Sequence, residues 1–255
     1  MHVVFALMTR EMKTRFGKYK LGYLWAVLEP LGYVGAFSLI RLAFGSEPIG
    51  GLAFPVFFAM GILPFMIFNS SVMQSLLTVE ANQGLFIYRR IRPYHCVLSR
   101  ILLEFLSYGL ALILILLLFA GFKMDFSIGS WWWTLLLTFF FFGFCVGLGL
   151  AMAVIGPQFI ESEKFVPIFI RPLFLLSGVF IPLSAIPEEY MAWVLPNPLL
   201  HFIELYRYTL FQGYASSLQS LFYVWLTSTL VFALGILLYY QFERKILTSG
   251  TIKLR

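Results

Sequence analysis

Trp131-Trp-Trp-Thr-Leu-Leu-Leu-Thr-Phe-Phe-Phe-Phe-Gly-Phe-Cys-Val-Gly-Leu-Gly-Leu-Ala-Met-Ala-Val-Ile155 runs for 25 residues without one Asp, Glu, Lys or Arg. As a helix it would extend about 38 Å, longer than the roughly 30 Å hydrocarbon core of a bilayer. No solvent-facing stripe interrupts it, so the segment reads as a membrane span. Comparable apolar stretches occur at 21–44, 55–79, 101–122, 165–181 and 218–242, giving an all-α polytopic membrane protein with six spans. The composition agrees: 60% of the residues are hydrophobic and 12% charged, against roughly 25% charged in a soluble domain.

Between the spans the positive charge is sorted. Fifteen of the 18 Lys and Arg fall in the head (Arg10, Lys13, Arg15, Lys18, Lys20), around the second loop (Arg89, Arg90, Arg92, Arg100), around the fourth (Lys164, Arg171) and in the tail (Arg244, Lys245, Lys253, Arg255). Only Arg41, Lys123 and Arg207 fall on the other side. Basic side chains resist translocation, so this asymmetry predicts a bacterial inner-membrane protein with both termini in the cytoplasm. The net charge of +6 therefore concerns topology and anionic lipid headgroups, not nucleic acid.

With 255 residues the chain reads as one membrane domain, with no room for a separate nucleotide-binding or catalytic domain. Its parts are a cytoplasmic amphipathic helix (1–20), spans one to five (21–181), a hairpin (182–217), span six (218–242) and a cytoplasmic tail (243–255). Residues 1–8 are too short an apolar run for a cleavable signal. In the head, Phe5, Met8, Met12, Phe16 and Tyr19 recur at three- and four-residue steps, while Arg10, Glu11, Lys13, Arg15 and Lys18 take the remaining arc, as in a helix lying on a membrane surface. The hairpin is apolar but cut by Pro182, Pro187, Pro196 and Pro198, which suits a re-entrant or interfacial pair of short helices; two further spans are the alternative.

Chemistry-bearing residues are sparse. His2, His95 and His201 lie far apart, Cys96 and Cys145 make neither a disulfide nor a metal site, and no Gly-rich phosphate loop with a following Lys occurs. The sequence therefore predicts no catalytic residues, no metal and no cofactor of its own, and any energy must come from a partner or a gradient. Glu29, Arg41 and Arg171 are charges inside spans, which face a protein interior or a wet path. Glu29 suits either proton coupling or a structural pair, with Arg171 as one candidate. Trp25, Glu29, Tyr33 and Phe37 follow at four-residue steps, an aromatic stripe suited to sugar rings or to ordinary packing.

Four other features admit two readings each. His201, Glu204, Arg207 and Tyr208 form either a helix-stabilising cluster or a gate at an outer mouth. Trp131, Trp132 and Trp133 read as an interface anchor or a binding surface. Gly143-x-x-x-Gly147, with Gly149, Ala151 and Ala153, permits close helix approach to a neighbour in this chain or in a second copy. The loop Glu80-Ala-Asn-Gln-Gly-Leu-Phe-Ile-Tyr-Arg-Arg-Ile-Arg-Pro93 mixes acid, base and aromatic groups, as in a segment inserted into a cleft on another protein or lying on the membrane.

Three separated motifs carry a resemblance. They are Thr14-Arg-Phe-Gly-Lys-Tyr-Lys-Leu-Gly-Tyr-Leu-Trp-Ala-Val-Leu-Glu-Pro30, Glu80-Ala-Asn-Gln-Gly-Leu-Phe86 and Asn197-Pro-Leu-Leu-His-Phe-Ile-Glu204. In this order, over essentially the whole chain, they resemble the ABC-2 type polysaccharide exporters, and most closely the group 2 capsule export permeases of Gram-negative bacteria.

The resemblance implies a homodimer above two copies of a separate ABC ATPase that binds ATP and Mg. The cargo would be an acidic, lipid-linked polysaccharide, with a periplasmic co-polymerase and outer-membrane export proteins as further partners. It assigns ATPase coupling to Glu80, Asn82, Gln83, Leu85, Phe86, Tyr88, Arg89, Arg90 and Arg92, and an interface helix to Arg10, Lys13 and Arg15. It places Trp25, Glu29, Tyr33 and Phe37 on the polysaccharide path, and Asn197, His201, Glu204 and Arg207 at a periplasmic gate. The basic Arg89-Arg90-Ile91-Arg92 departs from the family's pattern. Other lipid-linked cargo, such as O-antigen or teichoic acid, fits the same architecture; a gradient-driven carrier coupled at Glu29, and a lipid- or sugar-modifying enzyme, are rivals of different class.

Overall fold

The computed structural model describes residues 2–16, 22–45, 48–88, 90–124, 128–214 and 220–252. Among these, the helices in chain order are α1 (His2–Phe16), α2 (Trp25–Ala43), α3 (Phe54–Leu76), α4 (Thr78–Ala81), α5 (Pro93–Gly121), α6 (Trp131–Gln158), α7 (Ser162–Leu176), α8 (Glu188–Val194), α9 (Pro198–Leu210) and α10 (Leu221–Ile252). No extended strand occurs among the described residues. Four helices, α3, α5, α6 and α10, are long and apolar enough to cross a membrane. The expected first and fifth spans differ in kind. α2 has 19 residues with Glu29, Pro30 and Arg41 inside it, and α7 stops at Leu176 after 15 residues, carrying Pro167 and Pro172. The run expected to reach residue 181 ends where Gly178 adopts a φ of 73°, in the left-handed region that favours glycine.

Lipid tails are as apolar as leucine, so helices in a membrane associate through close packing rather than through exclusion of water. The most extensive contact in the fold, between α6 and α10, shows how that closeness arises. A Cβ on Gly235 would stand 2.1 Å from the carbonyl oxygen of Gly147, and one on Gly147 would stand 2.5 Å from that of Val231. Part of the small-residue pattern finds its neighbours within the chain: Gly147 meets α10 and Gly149 meets Ser75, Val97 and Ile101, as Gly156 beyond the pattern meets Leu76, whereas a Cβ on Gly143 would meet nothing within 4 Å. α3 is enclosed by α2, α5, α6, α7 and α9, whereas α10 remains largely outward-facing. Where α3, α6 and α9 meet, Phe57, Phe141 and Phe202 are fully buried, with the rings of Phe141 and Phe202 4.8 Å apart.

α5 begins eight residues before the expected span. Pro93 takes the first helical position, where its missing N–H costs nothing, and His95 Nδ1 accepts the Arg92 N–H at 3.1 Å. α1 packs along α5 and divides its faces differently from the expected membrane-surface helix. Leu7 is buried and Phe5 exposed, while Glu11 and Arg15, expected on the solvent arc, face the protein and are paired there. Cys96 and Cys145 are both buried free thiols. The side chains of Trp131, Trp132 and Trp133 project outward from the start of α6.

Candidate functional site

α2, α3, α5 and α7 line an open cavity of about 640 Å³. α2 contributes Glu29 and Tyr33, one turn apart; α3 contributes Asn69 and Ser70; α5 contributes Tyr108; and α7 contributes Arg171. Phe65, Phe174 and aliphatic side chains complete the wall. A second cavity of about 210 Å³ shares Glu29, Ser70 and Tyr108 and continues toward α1, where Arg15, Trp25, Gln74 and Glu104 line it. Polar and aromatic groups therefore run without a break from the α1 end into the helix bundle. At the other side stands an aromatic cluster, with Phe37 5.0 Å from both Phe58 and Phe180, and Phe174 5.1 Å from Phe180.

Of the four residues expected on a path, Trp25, Glu29 and Tyr33 line these cavities, whereas Phe37 packs into the cluster. The reason is geometric: twelve residues are more than three turns at 3.6 residues each, so a stripe of four-residue steps drifts by about 120° between Trp25 and Phe37. Glu29 and Arg171 share the larger cavity but form no ion pair. Arg41 lies 5.7 Å from the centre of the Phe54 ring.

At the α1 end a set of charged joints fixes one helix to another. Arg100 Nε donates to Glu11 at 2.9 Å, and its Nη1 donates to the Gln74 carbonyl at 2.8 Å and to Thr78 Oγ1 at 3.1 Å. One turn further along both helices Arg15 pairs with Glu104, which also accepts Gln74 Nε2 at 2.6 Å. Arg10 reaches the second loop, its Nη1 donating to Asn82 Oδ1 at 2.9 Å, while Asn82 Nδ2 donates to the Thr78 carbonyl at 2.9 Å. Lys13 is exposed.

The loop itself is two short pieces, α4 and a 3-10 turn over Gln83–Leu85. Asn82 is buried; Gln83, Leu85 and Phe86 are half-buried; Glu80, Tyr88, Arg90 and Arg92 are exposed. Arg92 pairs with Glu243 of α10 at 2.8 Å, which raises its already high pKa. Arg89, and residues 17–21 of the first motif, lie outside the described residues.

The hairpin is held from inside. Asn197 caps α9, its Oδ1 accepting the Leu199 N–H at 3.0 Å while its Nδ2 donates to Ser177 Oγ at 3.0 Å. Arg207 is fully buried: Nη1 donates to Glu204 at 3.2 Å and to the Gly178 carbonyl at 2.8 Å, and Nη2 and Nε donate at 3.2 Å to the carbonyls of Val179 and Phe57. Its guanidinium carbon sits 3.5 Å from the centre of the Phe57 ring. Tyr214 donates to Glu204 at 2.9 Å. His201 bonds the Leu195 carbonyl through Nε2 at 2.8 Å and stacks 4.2 Å from Tyr223, and burial pushes its pKa down. None of Asn197, His201, Glu204 and Arg207 lines the α2–α7 cavity; Asn197 and Arg207 join α9 to the end of α7, Arg207 also reaches α3, and His201 bonds the segment before α9 and stacks on α10.

Sequence reading passed over Glu104 and Gln74, and gave Glu11 and Arg100 only as charges of the head and of the second loop. Glu104 had a usable signal, as the one charge within the apolar run 101–122. Asn69, Ser70 and Tyr108 had none, because isolated polar residues on apolar helices do not reveal which face meets a cavity.

Comparison with known proteins bears on what such an arrangement does. The sequence model of the ABC-2 type transporter family matches residues 2–211. The chain is 38% identical to the polysialic acid transport protein KpsM of Escherichia coli, over 96% of this chain and 95% of that one. It is 24% identical to the capsule polysaccharide export inner-membrane protein CtrC of Neisseria meningitidis serogroup A, over 95% and 91% of the two chains. The O-antigen export system permease protein RfbA of Klebsiella pneumoniae is 24% identical over 78% and 76%.

Proposed function

The chain belongs to the ABC-2 type transporter family, and from that membership we propose that it is the channel-forming permease of an ATP-driven exporter of lipid-linked capsular polysaccharide. The observation that carries this reading is the end-to-end likeness to the polysialic acid transport protein KpsM, 38% over 96% of this chain, together with likeness to the capsule polysaccharide export inner-membrane protein CtrC. The likeness to an O-antigen permease is lower than that to KpsM and covers less of the chain than that to either of these, which favours capsule over O-antigen as cargo.

In this reading two copies assemble in the bacterial inner membrane with two ABC ATPase subunits beneath them, and the chain itself performs no hydrolysis. ATP and Mg belong to the partner. α2 and α7 complete a set of six spans with both termini in the cytoplasm, and α8 and α9 form a re-entrant hairpin on the periplasmic side. α1 and the 80–93 loop face the ATPase; the bonds Arg10–Asn82, Glu11–Arg100 and Arg15–Glu104 let a push on either be felt by α5 and by the cavity beside Glu104. A periplasmic co-polymerase and outer-membrane proteins would receive the polymer.

The cavity chemistry suits a sugar polymer. Tyr33, Trp25 and Tyr108 offer flat apolar faces, and Asn69 and Ser70 offer hydrogen-bond partners for hydroxyl groups. A polymer longer than the bilayer cannot be enclosed whole, so it stays threaded while ATPase cycles advance it. Stacking on aromatic faces is tolerant of which unit is present, as it is for bases on stacking platforms.

The test is the location of acidic polysaccharide in a strain lacking this gene but retaining the polymer's synthesis genes. Polymer accumulating inside the cells is expected. Normal surface polymer overturns the proposal.

A further inference from the structure

Gly143 begins the small-residue pattern of α6, yet no part of the chain packs against it, whereas Gly147 one turn on is pressed against α10. The space beside Gly143 belongs to a slot of about 570 Å³ that shares no lining residue with the two cavities reaching Glu29. Gly143 and Leu150 of α6 lie along its floor, with Leu98 of α5 on one side and Phe232 of α10 on the other. α5 and α10 both pack on α6, but they meet one another chiefly at one end of the slot. There the rings of Tyr94 and Tyr239 stand 6.0 Å apart, edge to face. Tyr239 donates to Glu243 at 2.9 Å, and Arg92 pairs with the same carboxylate at 2.8 Å. The slot is thus closed by polar groups at the start of α5 and runs away from them between apolar walls.

Its dimensions and charge decide what fits. From Tyr240 to Trp225 the slot follows α10 for about 22 Å, more than the roughly 15 Å of hydrocarbon in one leaflet. A helix about 10 Å across would need about 1,700 Å³ over that length, about three times what the slot holds. A single hydrocarbon chain is narrow enough. At the closed end the Arg92 side chain is nearly half exposed, and Arg244 and Lys245, which follow Glu243 on α10, are exposed as well. Three cations against one half-buried carboxylate leave that end positive.

We propose that the slot is a binding site for a resident membrane phospholipid with an anionic headgroup. One acyl chain lies on α6 between α5 and α10, and the phosphate meets Arg92 at the closed end. A chain in the slot supplies the close packing that helices in a membrane otherwise draw from one another. A guanidinium suits a phosphate, and basic pockets between membrane helices hold anionic headgroups. The lipid is not cargo, because the slot opens between α5 and α10, away from α2 and α7. Its place in the cytoplasmic leaflet rests on the orientation proposed above; the binding does not.

The purified, delipidated permease is titrated in detergent with dioleoyl phosphatidylglycerol and dioleoyl phosphatidylethanolamine, and bound lipid is counted by native mass spectrometry. Gly143→Leu fills the slot and should abolish the tight site for both lipids. Gly109→Leu, on an equally open stretch of α5 outside the slot, should keep it. Arg92→Gln should weaken phosphatidylglycerol binding about fivefold, the effect of one basic residue beside an anionic lipid, and Glu243→Gln should strengthen it by a similar factor. Neither should alter phosphatidylethanolamine binding. Both variants break the same ion pair, so shifts in one direction would report damage at the helix ends and overturn the proposal. A tight site retained in Gly143→Leu overturns it, as does equal affinity of the parent for the two lipids. Dissociation of a two-copy assembly in Gly143→Leu also overturns it, by showing that the slot receives a second copy. None of these titrations involves polymer, so failure of the transport reading in the deletion strain is a separate result.

Discussion

The Glu204 carboxylate accepts Nη1 of Arg207 at 3.2 Å, with the two side chains 1% and 0% exposed. Every polar atom of this pair finds a partner, from Tyr214 on the acid to the carbonyls of Phe57, Gly178 and Val179 on the base. Breaking one side leaves a buried charge uncompensated, which costs about 3–5 kcal/mol, whereas replacing both by apolar groups costs much less. Arg207→Met alone should therefore sharply lower the melting temperature of the purified permease, and Glu204→Leu combined with Arg207→Met should recover part of the loss. Equal destabilisation by the single and double variants would show that the pair does not act as a unit. Gly61→Ala should act at the same place, since its Cβ would come within 2.6 Å of Arg207 Nη2 and 2.9 Å of the Val179 backbone.

The Glu11–Arg100 pair joins α1 to α5 and is testable by exchange. Glu11→Arg and Arg100→Glu each place like charges side by side and should reduce both export and ATPase co-purification. The double exchange should restore part of both, with a coupling of about 0.5–3 kcal/mol between the sites. Arg100 also bonds the Gln74 carbonyl and Thr78, so recovery will be incomplete. Additive losses, with no recovery in the double variant, would show that α1 does not act through this contact.

What was legible in the sequence follows from how each signal is written. Runs such as 131–155 declare a membrane helix by composition alone, and α6 starts where that run starts. Chain ends of helices are decided by individual residues: Pro93 at the start of α5 and Gly178 after α7 moved two boundaries by several residues. On α1 the placing of Glu11 and Arg15 on the outer arc differs from the structure, because hydrophobic spacing cannot anticipate that they find partners more than 80 residues away on α5. Trp25, Glu29 and Tyr33 were recognised as one face, but the drift of the helix carried Phe37 off it. His201, Glu204, Arg207 and Tyr208 were grouped by spacing, and Asn197 joined them only through the resemblance; that Asn197 and Arg207 bond to the end of α7, and Arg207 also to α3, is recorded in no local pattern.

His201 gives the hairpin a pH dependence. Nε2 donates to the Leu195 carbonyl, so Nδ1 is the unprotonated nitrogen, and it is buried without a partner. Protonation would place a second N–H where nothing accepts it, and burial accordingly lowers the pKa below the ordinary 6.5. Below about pH 6.5 the unfolded chain binds a proton that the folded one resists, so stability is complete above that pH and falls as the pH drops through the interval down to the folded-state pKa. His201→Gln, which can still donate to Leu195, should flatten melting temperature against pH below about 6.5. An unchanged slope would assign the effect to another group.

Tyr33 and Phe37, one turn apart on α2, should respond oppositely to truncation. Tyr33 is 44% exposed and lines the cavity, so Tyr33→Ala removes a contact surface without opening the core. Surface polymer should fall while melting temperature and ATPase co-purification stay near the parent's, and Trp25→Ala should behave alike. Phe37 packs between Phe58 and Phe180, so Phe37→Ala leaves a void in an aromatic cluster and should destabilise the permease, with about 3–5 kcal/mol as the upper range for a fully buried Phe. Phe37→Leu should restore most of that stability and, with it, export. Loss of export in a fully stable Phe37→Leu would place Phe37 on the path after all, and unchanged export in Tyr33→Ala and Trp25→Ala would remove the aromatic wall from the transport mechanism.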